Sequence, residues 1–314
     1  MLTSERDGVE IASFDRSTEA LVSRLAERID RELLQMEEAL GPEADATDFA
    51  AIREQALPRL ERLKRLVQEQ QINPWREVRL CPEEAEPEQP RAGERALRLG
   101  FFPTAANPLH WMHLIGGLAA ISDLRLDKLI YVVAGSDPRK SNLVPATTRH
   151  LMAARVLKVF SPFLTWTPIS LESSLPGEVN VFRLLQFNSR LRIQAFYLAG
   201  TDHYRRVDRA TGEPDTIQRL EDGIRGRLFG FDGRRHQLSV IFLDRGGPLL
   251  PVDTFLDVHW IDQLPLRMSS TGIRAALCGR GPRAALAGVP FTTFAIICAL
   301  GLYGISSRLG AGLK

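Results

Sequence analysis

The chain has 314 residues, 44% of them hydrophobic and 25% charged, with a formal net charge of +2. This is ordinary for a soluble globular protein and long enough for one large domain or two smaller ones. The three cysteines, Cys81, Cys278 and Cys298, include no close pair that would suggest a metal knuckle, and their odd number argues against a disulfide framework. The N-terminal Met-Leu-Thr-Ser-Glu-Arg-Asp is charged and lacks an apolar core, so no secretory signal and a reduced, cytoplasmic setting are expected. Charge is unevenly spread: residues 1–94 carry 22 acidic and 13 basic side chains, the remainder 16 and 27. A basic C-terminal part suits an anionic ligand, although scattered solvated arginines account for part of the excess.

In chain order, residues 17–72 read as a helical hairpin. Leu21, Leu25, Ile29, Leu33 and Leu34 recur at helical spacing, as do Ile52, Leu57, Leu60, Leu63 and Leu66. The run Gly41-Pro-Glu-Ala-Asp-Ala-Thr-Asp48 breaks the pattern, with Asp48 as a candidate cap for the second helix. The Leu/Ile stripe must be covered by itself, by a second copy of the chain or by the following domain. The sequence leaves these open, a homo-oligomer through the N-terminal helices among them. The acidic, proline-rich run 81–90 then reads as an exposed linker.

Beyond the linker, strands and helices alternate. Strands are expected at 96–102, 129–134, 164–167, 195–199, 238–243 and 259–261, with helices at 110–122 and 147–160. The fold class this implies is α/β, a doubly wound parallel sheet with an N-terminal helical extension. Ligands of such sheets sit beyond the carboxyl ends of the strands. The chain is thus divided into a helical hairpin at 1–80, a linker at 81–95 and an α/β domain at 96–314. Residues 285–304 are nearly uncharged but contain Pro290, and read as a buried terminal helix rather than a membrane span.

Two segments carry chemistry. Leu99-Gly-Phe-Phe-Pro-Thr-Ala-Ala-Asn-Pro-Leu-His-Trp-Met-His-Leu114 is a buried strand, a small-residue turn and two histidines three apart at a helix start. His110 and His113 then share one helical face, and the helix start offers unpaired N–H groups and the positive dipole end to a polyphosphate. Met268-Ser-Ser-Thr-Gly-Ile-Arg274 repeats the theme, with hydroxyl residues opening a helix and an arginine on its first turn. A zinc site on the two histidines lacks a third ligand at any informative spacing, and no resident metal is expected.

These residues resemble the two signatures of the nucleotidylyltransferase superfamily. Asn107-Pro-Leu-His-Trp-Met-His-Leu114 and Ser269-Ser-Thr-Gly-Ile-Arg274 are most similar to the nicotinate/nicotinamide mononucleotide adenylyltransferase family. Lys140, Arg149, Met152, Gly200-Thr-Asp202, Arg245 and the closing stretch from Val289-Pro290 to Leu302-Tyr303 fall in the family's order, over residues 96–304. The resemblance implies a Rossmann-like domain that joins ATP to a pyridine mononucleotide and releases pyrophosphate. It implies magnesium accompanying ATP, and neither nucleic acid nor membrane as partner. His110, His113 and Arg274 would be catalytic. Thr104, Ala105, Ala106, Lys140, Gly200, Asp202, Ser269, Ser270 and Thr271 would bind ATP. Two departures stand out. The turn Pro103–Ala106 lacks the family's glycine, which restricts positive φ. The usual aromatic partner of the pyridine is absent, leaving Trp166, Leu171 and Tyr204 as candidates for the acceptor pocket. Two other readings remain: a different phosphorylated acceptor, or a nucleotide-binding regulatory protein without turnover.

Overall fold

Alternation of side chains along six strands divides the core between the two faces of one sheet. In the computed structural model, residues 4–41, 46–90, 93–136, 142–203, 212, 215–244, 252–261, 264 and 268–305 are described. Strands β1 (Leu97–Thr104), β2 (Lys128–Val133), β3 (Leu164–Thr167), β4 (Ile193–Gly200), β5 (His236–Leu243) and β6 (Asp257–Ile261) are all parallel. Their order is β3-β2-β1-β4-β5-β6. Tyr131 and Val133 of β2, Phe196 and Leu198 of β4 and Ile241 of β5 join one core, while Ile130, Val132, Tyr197, Val240 and Phe242 join the other. Both faces being buried, the strands read as apolar runs rather than as alternation.

Helices α3 (Trp111–Leu124) and α4 (Ala146–Phe160) cover the first face, together with α7 (Ser270–Leu277) and α8 (Phe291–Ala299). Helix α5 (Gly177–Phe187) and the short α6 (Thr216–Arg225) cover the second. From β1 the chain winds outward through α3 and α4 to β3, and α5 then carries it back to β4. The winding reverses between β1 and β4, the point at which an open parallel sheet presents a crevice for ligands. The doubly wound sheet expected from the sequence is the one observed.

The N-terminal helices α1 (Ser4–Leu40) and α2 (Ala46–Gln68) run antiparallel, with Asp30 paired to Arg53 at 2.9 Å and Glu19 to Lys64 at 2.8 Å. Leu25, Ile29, Leu33, Ile52, Leu60 and Leu63 are buried in the same core as α3, α4 and α8, so the hairpin has no core of its own. The chain's own helices thus cover the stripe, and no second copy is needed to do so. Leu34 lies off the stripe and is 51% exposed. Asp48 falls inside the first turn of α2 rather than at its cap, because the helix already begins at Ala46.

Helix α8 follows Pro290, whose side chain can accept no hydrogen bond. The buried Glu32 of α1 fills that role, accepting from the Thr292 N–H at 2.7 Å and from the Thr292 hydroxyl. A carboxylate there satisfies an orphan N–H and faces the positive end of the helix dipole. The expected single terminal helix is instead three pieces: Arg283–Gly288, α8 and Leu302–Gly304. Pro290 and Gly301, at φ 61°, separate them. No helix among the described residues is long and apolar enough to cross a membrane.

Below the sheet, buried Asp127 accepts from the backbone N–H groups of Asn73 (2.7 Å) and Arg98 (2.9 Å) and from Arg95. Asn188 exchanges two 2.9 Å hydrogen bonds with the backbone of Arg79. These contacts fasten residues 73–80 under the sheet; residues 82–86 beyond them are exposed, and Pro87 is buried. Strand β1 extends past its expected end because pairing with β4 stops at Phe101 while pairing with β2 continues to Thr104. With one neighbour only, Pro103 and its missing N–H are tolerated.

His150 and His236 are buried, and burial holds both imidazoles down at about 4. Lowered histidine values mean that the unfolded chain binds protons more tightly below about pH 6.5. Stability should therefore be full at pH 7 and fall as pH drops through that value toward 4. The thermal unfolding midpoint is expected to fall by several degrees between pH 7 and pH 5. His150→Gln should reduce that dependence, and a midpoint flat over this range would contradict it.

Candidate active site

The turn after β1 is built on an alanine in a glycine's conformation. Ala106 has φ 47°, in the left-handed region. For an L-residue this costs about 1–2 kcal/mol. The N–H of Ala106 donates to Thr104 Oγ1 at 3.2 Å, which braces the bend. The missing glycine thus does not abolish the positive φ; alanine adopts it.

The turn delivers His110 to the N-cap of α3 and His113 to its first turn, both buried, with ring centroids 3.9 Å apart. The His110 backbone N–H donates to His113 Nδ1 at 3.3 Å. An accepting Nδ1 leaves the proton of a neutral ring on Nε2, a tautomer assigned from this hydrogen bond. His113 Nε2 lies 3.1 Å from Thr104 Oγ1, at the end of β1. The Tyr131 hydroxyl donates to the His113 carbonyl at 2.8 Å and holds α3 on the sheet. Gly117, one turn later, makes room for it, because a Cβ there would overlap that hydroxyl.

Arg149 of α4 ties the turn to its neighbours. It is 1% exposed and donates to four carbonyls: Val144 (2.9 Å), Ala105 (2.8 Å), Ala134 (2.6 Å) and Gly135 (2.5 Å). A planar fork of donors fits such a ring of carbonyls, which a lysine would not. Gly135 itself is packed under the turn 170–173, where a Cβ would overlap the Ser170 and Ser173 carbonyls.

The second motif arrives from the far end of the chain. Ser269 caps α7, its Oγ accepting from the Gly272 N–H at 3.1 Å. Such a cap is worth about 1 kcal/mol. Ser270 Oγ donates to the Pro108 carbonyl at 3.3 Å. Arg274 donates to the Asn107 carbonyl at 2.7 Å and to Thr271 Oγ1 at 3.1 Å. The Ser-Ser-Thr-Gly-Ile-Arg helix start is therefore in direct contact with the Asn-Pro turn that leads into the histidines. Two helix starts, two imidazoles and one guanidinium meet at the carboxyl end of β1.

The other expected residues are placed as follows. Gly200 closes β4, and Asp202 lies in the single turn Thr201–His203 directly after it. Lys140, Tyr204 and Arg245 lie outside the described residues. Trp166 is half-buried, and its Nε1 donates to His150 Nδ1 at 3.0 Å, tying β3 to α4. Leu171 is half-buried in the turn that packs on Gly135. Among the described residues, no three His, Cys, Asp or Glu side chains gather as a metal cage. The sequence quoted Asn107, Arg149 and Tyr303 within its motifs without giving them a structural role. Tyr131 was read only as part of an apolar strand; a lone hydroxyl in a fully buried run was the available signal.

No protein-family model matches the chain. A probable nicotinate-nucleotide adenylyltransferase of Thermus thermophilus is 31% identical over 113 residues, 35% of this chain and 59% of that protein. One from a Thermoanaerobacter species is 32% identical over 80 residues, 25% of this chain and 38% of that protein. Over these parts of its length the chain is thus similar to proteins named as probable nicotinate-nucleotide adenylyltransferases. The match spans about three fifths of the Thermus protein's length. A solved structure of the Plasmodium falciparum nicotinic acid mononucleotide adenylyltransferase complexed with NaAD aligns with a TM-score of 0.49 at 15% identity, covering 67% of this chain and 98% of that one.

Arg149→Lys is expected to lower stability by about 3 kcal/mol, since it leaves buried carbonyls without their donors. Denaturant unfolding measures this, and a change below about 0.5 kcal/mol, the size of an ordinary surface substitution, would contradict the tie.

Proposed function

We propose that this protein transfers the adenylyl group of ATP to the phosphate of nicotinate or nicotinamide mononucleotide, releasing pyrophosphate. The observation that carries the reading is the 2.7 Å contact between Arg274 and the Asn107 carbonyl. It brings an arginine and a capped helix start against the turn that leads to His110 and His113. In the reaction a phosphate oxygen of the mononucleotide attacks the α-phosphorus. A new P–O bond forms, and the bond to the α–β bridging oxygen breaks with its electrons leaving on pyrophosphate. Such transfers depend on positioning and on charge stabilisation rather than on a covalent intermediate with the protein.

His113 presents Nε2–H as a donor, turned toward Thr104 in the free site and suited to a non-bridging α-phosphate oxygen as charge builds there. His110, at the N-cap of α3, would contact the neighbouring phosphate. The open N–H groups of α7 with Ser269, Ser270 and Thr271 would receive the β- and γ-phosphates, and Arg274 would hold the departing pyrophosphate. Thr104, Ala105 and Ala106 would bring backbone close to the triphosphate. Gly200 and Asp202, at the end of β4, would line the adenosine side, with Lys140 a further phosphate contact. Trp166 and Leu171, with Tyr204, would line the acceptor pocket. Magnesium enters as part of the substrate, the ATP complex, with phosphate oxygens and water as its ligands. The chemistry is assigned to residues 96–314, with 1–80 as an extension joined through 81–95, and a cytoplasmic setting is part of this proposal.

Purified full-length protein with ATP, magnesium and either mononucleotide is expected to release pyrophosphate. His113→Ala should lower kcat by about 10²–10³-fold, the usual cost of one transition-state donor. ATP binding without turnover on either mononucleotide would reject this acceptor and favour a nucleotide-binding protein of another kind.

A further inference from the structure

Asn107 is where four segments of the chain meet, and each of its polar side-chain and carbonyl groups is in use. It is 2% exposed. Its Nδ2 donates to the Asn142 carbonyl at 3.1 Å, and its Oδ1 accepts from the Val144 N–H at 3.3 Å and from the Tyr303 hydroxyl at 2.9 Å. Its carbonyl accepts from Arg274. Both lone pairs of Oδ1 are occupied, so the amide has one orientation only. That orientation joins the turn before His110, the approach to α4, the phosphate-facing helix α7 and the C-terminal segment.

Tyr303 reaches this junction from a constrained place. It follows α8 by four residues, past Gly301, and has itself φ 60°. Burial pushes its phenol well up, against the opposing effect of Arg274 and Arg149, so it stays a donor across the working pH range. The other end of α8 is held by Glu32, which is 5% exposed and accepts from both the N–H and the hydroxyl of Thr292. Arg28, one turn earlier on α1, lies 3.4 Å from the same carboxylate. An unbroken series of contacts thus runs from the N-terminal hairpin through α8 to the turn that carries the histidines.

We infer that Tyr303 is a positioning residue for Asn107, and that the N-terminal hairpin acts on the nucleotide site through it, with Glu32 holding α8 where Tyr303 can reach the turn. The hairpin is then part of the apparatus that shapes the phosphate cradle, beyond being a covering for an apolar face. This rests on the reading of the two helix starts as the ATP site, but not on the identity of the acceptor.

The test is calorimetric ATP binding by the full-length protein and its variants, at a temperature where all are folded, with melting midpoints recorded alongside. Tyr303→Phe keeps the ring and removes only the donor; its Kd for ATP is expected to rise at least fivefold. Glu32→Ala should weaken ATP binding in the same direction. Glu32→Gln, which still offers an oxygen to the Thr292 N–H, should stay within twofold of wild type. The double variant Glu32→Ala with Tyr303→Phe should bind no more weakly than the weaker single one, because both act through one contact. ATP affinity of Tyr303→Phe within twofold of wild type would overturn the inference. So would a Glu32→Ala variant that loses melting temperature while keeping its affinity, since that is a purely structural role. Turnover by wild type on the two mononucleotides is measured in parallel. Affinity changes as expected without wild-type turnover would leave this inference standing and reject the proposed acceptor. Absence of ATP binding by wild type would reject both.

Discussion

The guanidinium of Arg274 on the carbonyl of Asn107 is the contact on which the site depends. The two motifs are separated by more than 150 residues of sequence, and neither has useful geometry alone. A helix start with two adjacent imidazoles offers N–H groups and a donor to phosphate but no fixed positive charge. A capped helix with an arginine supplies that charge, provided the arginine is held. Binding Arg274 to a backbone carbonyl fixes it without neutralising it, because a carbonyl dipole carries no net charge, whereas a carboxylate would cancel the positive field that an anionic ligand needs.

The parallel sheet explains why the two ends of the domain meet there. Every strand of a doubly wound sheet ends at the same rim, so the loop after β1 and the approach to α7 are brought to one edge. The turn after β1 is then locked from several sides. Thr104 braces Ala106, Tyr131 holds the carbonyl of His113, and Arg149 links Ala105 to the ends of β2 and to the residues before α4. Asn107 adds the C-terminal segment. A left-handed alanine carries strain, and this set of contacts is what keeps it in place.

Much of the fold was legible in the sequence because strands buried on both faces read as uninterrupted apolar runs; residues 164–167 matched to the residue and 238–243 lay within β5. That the segment Ser269–Arg274 and the turn before His110 belong together was expected from the sequence, and the contacts of Ser270 with Pro108 and of Arg274 with Asn107 join them. Two helices were not anticipated. Helix α6 has ten residues, with Ile217, Leu220 and Ile224 as its sparse apolar face. Helix α5 starts at Gly177, a poor helix former, although Glu178 in its first turn and Asn188 at its end were usable signals. The closing segment was read as one helix from its hydrophobicity, and the breaks at Pro290 and Gly301 override that. Contacts such as Glu32 with Thr292 and Tyr303 with Asn107 join residues about 200 or more positions apart, beyond the reach of any local pattern.

A crystal structure of the full-length protein with a non-hydrolysable ATP analogue and magnesium tests the convergence most directly. Density for the triphosphate is expected between the start of α3 and the start of α7, with His113 Nε2 within hydrogen-bond distance of the α-phosphate and Arg274 within reach of the β- or γ-phosphate. A triphosphate bound elsewhere, with Arg274 still on Asn107 and both histidines untouched, would contradict it.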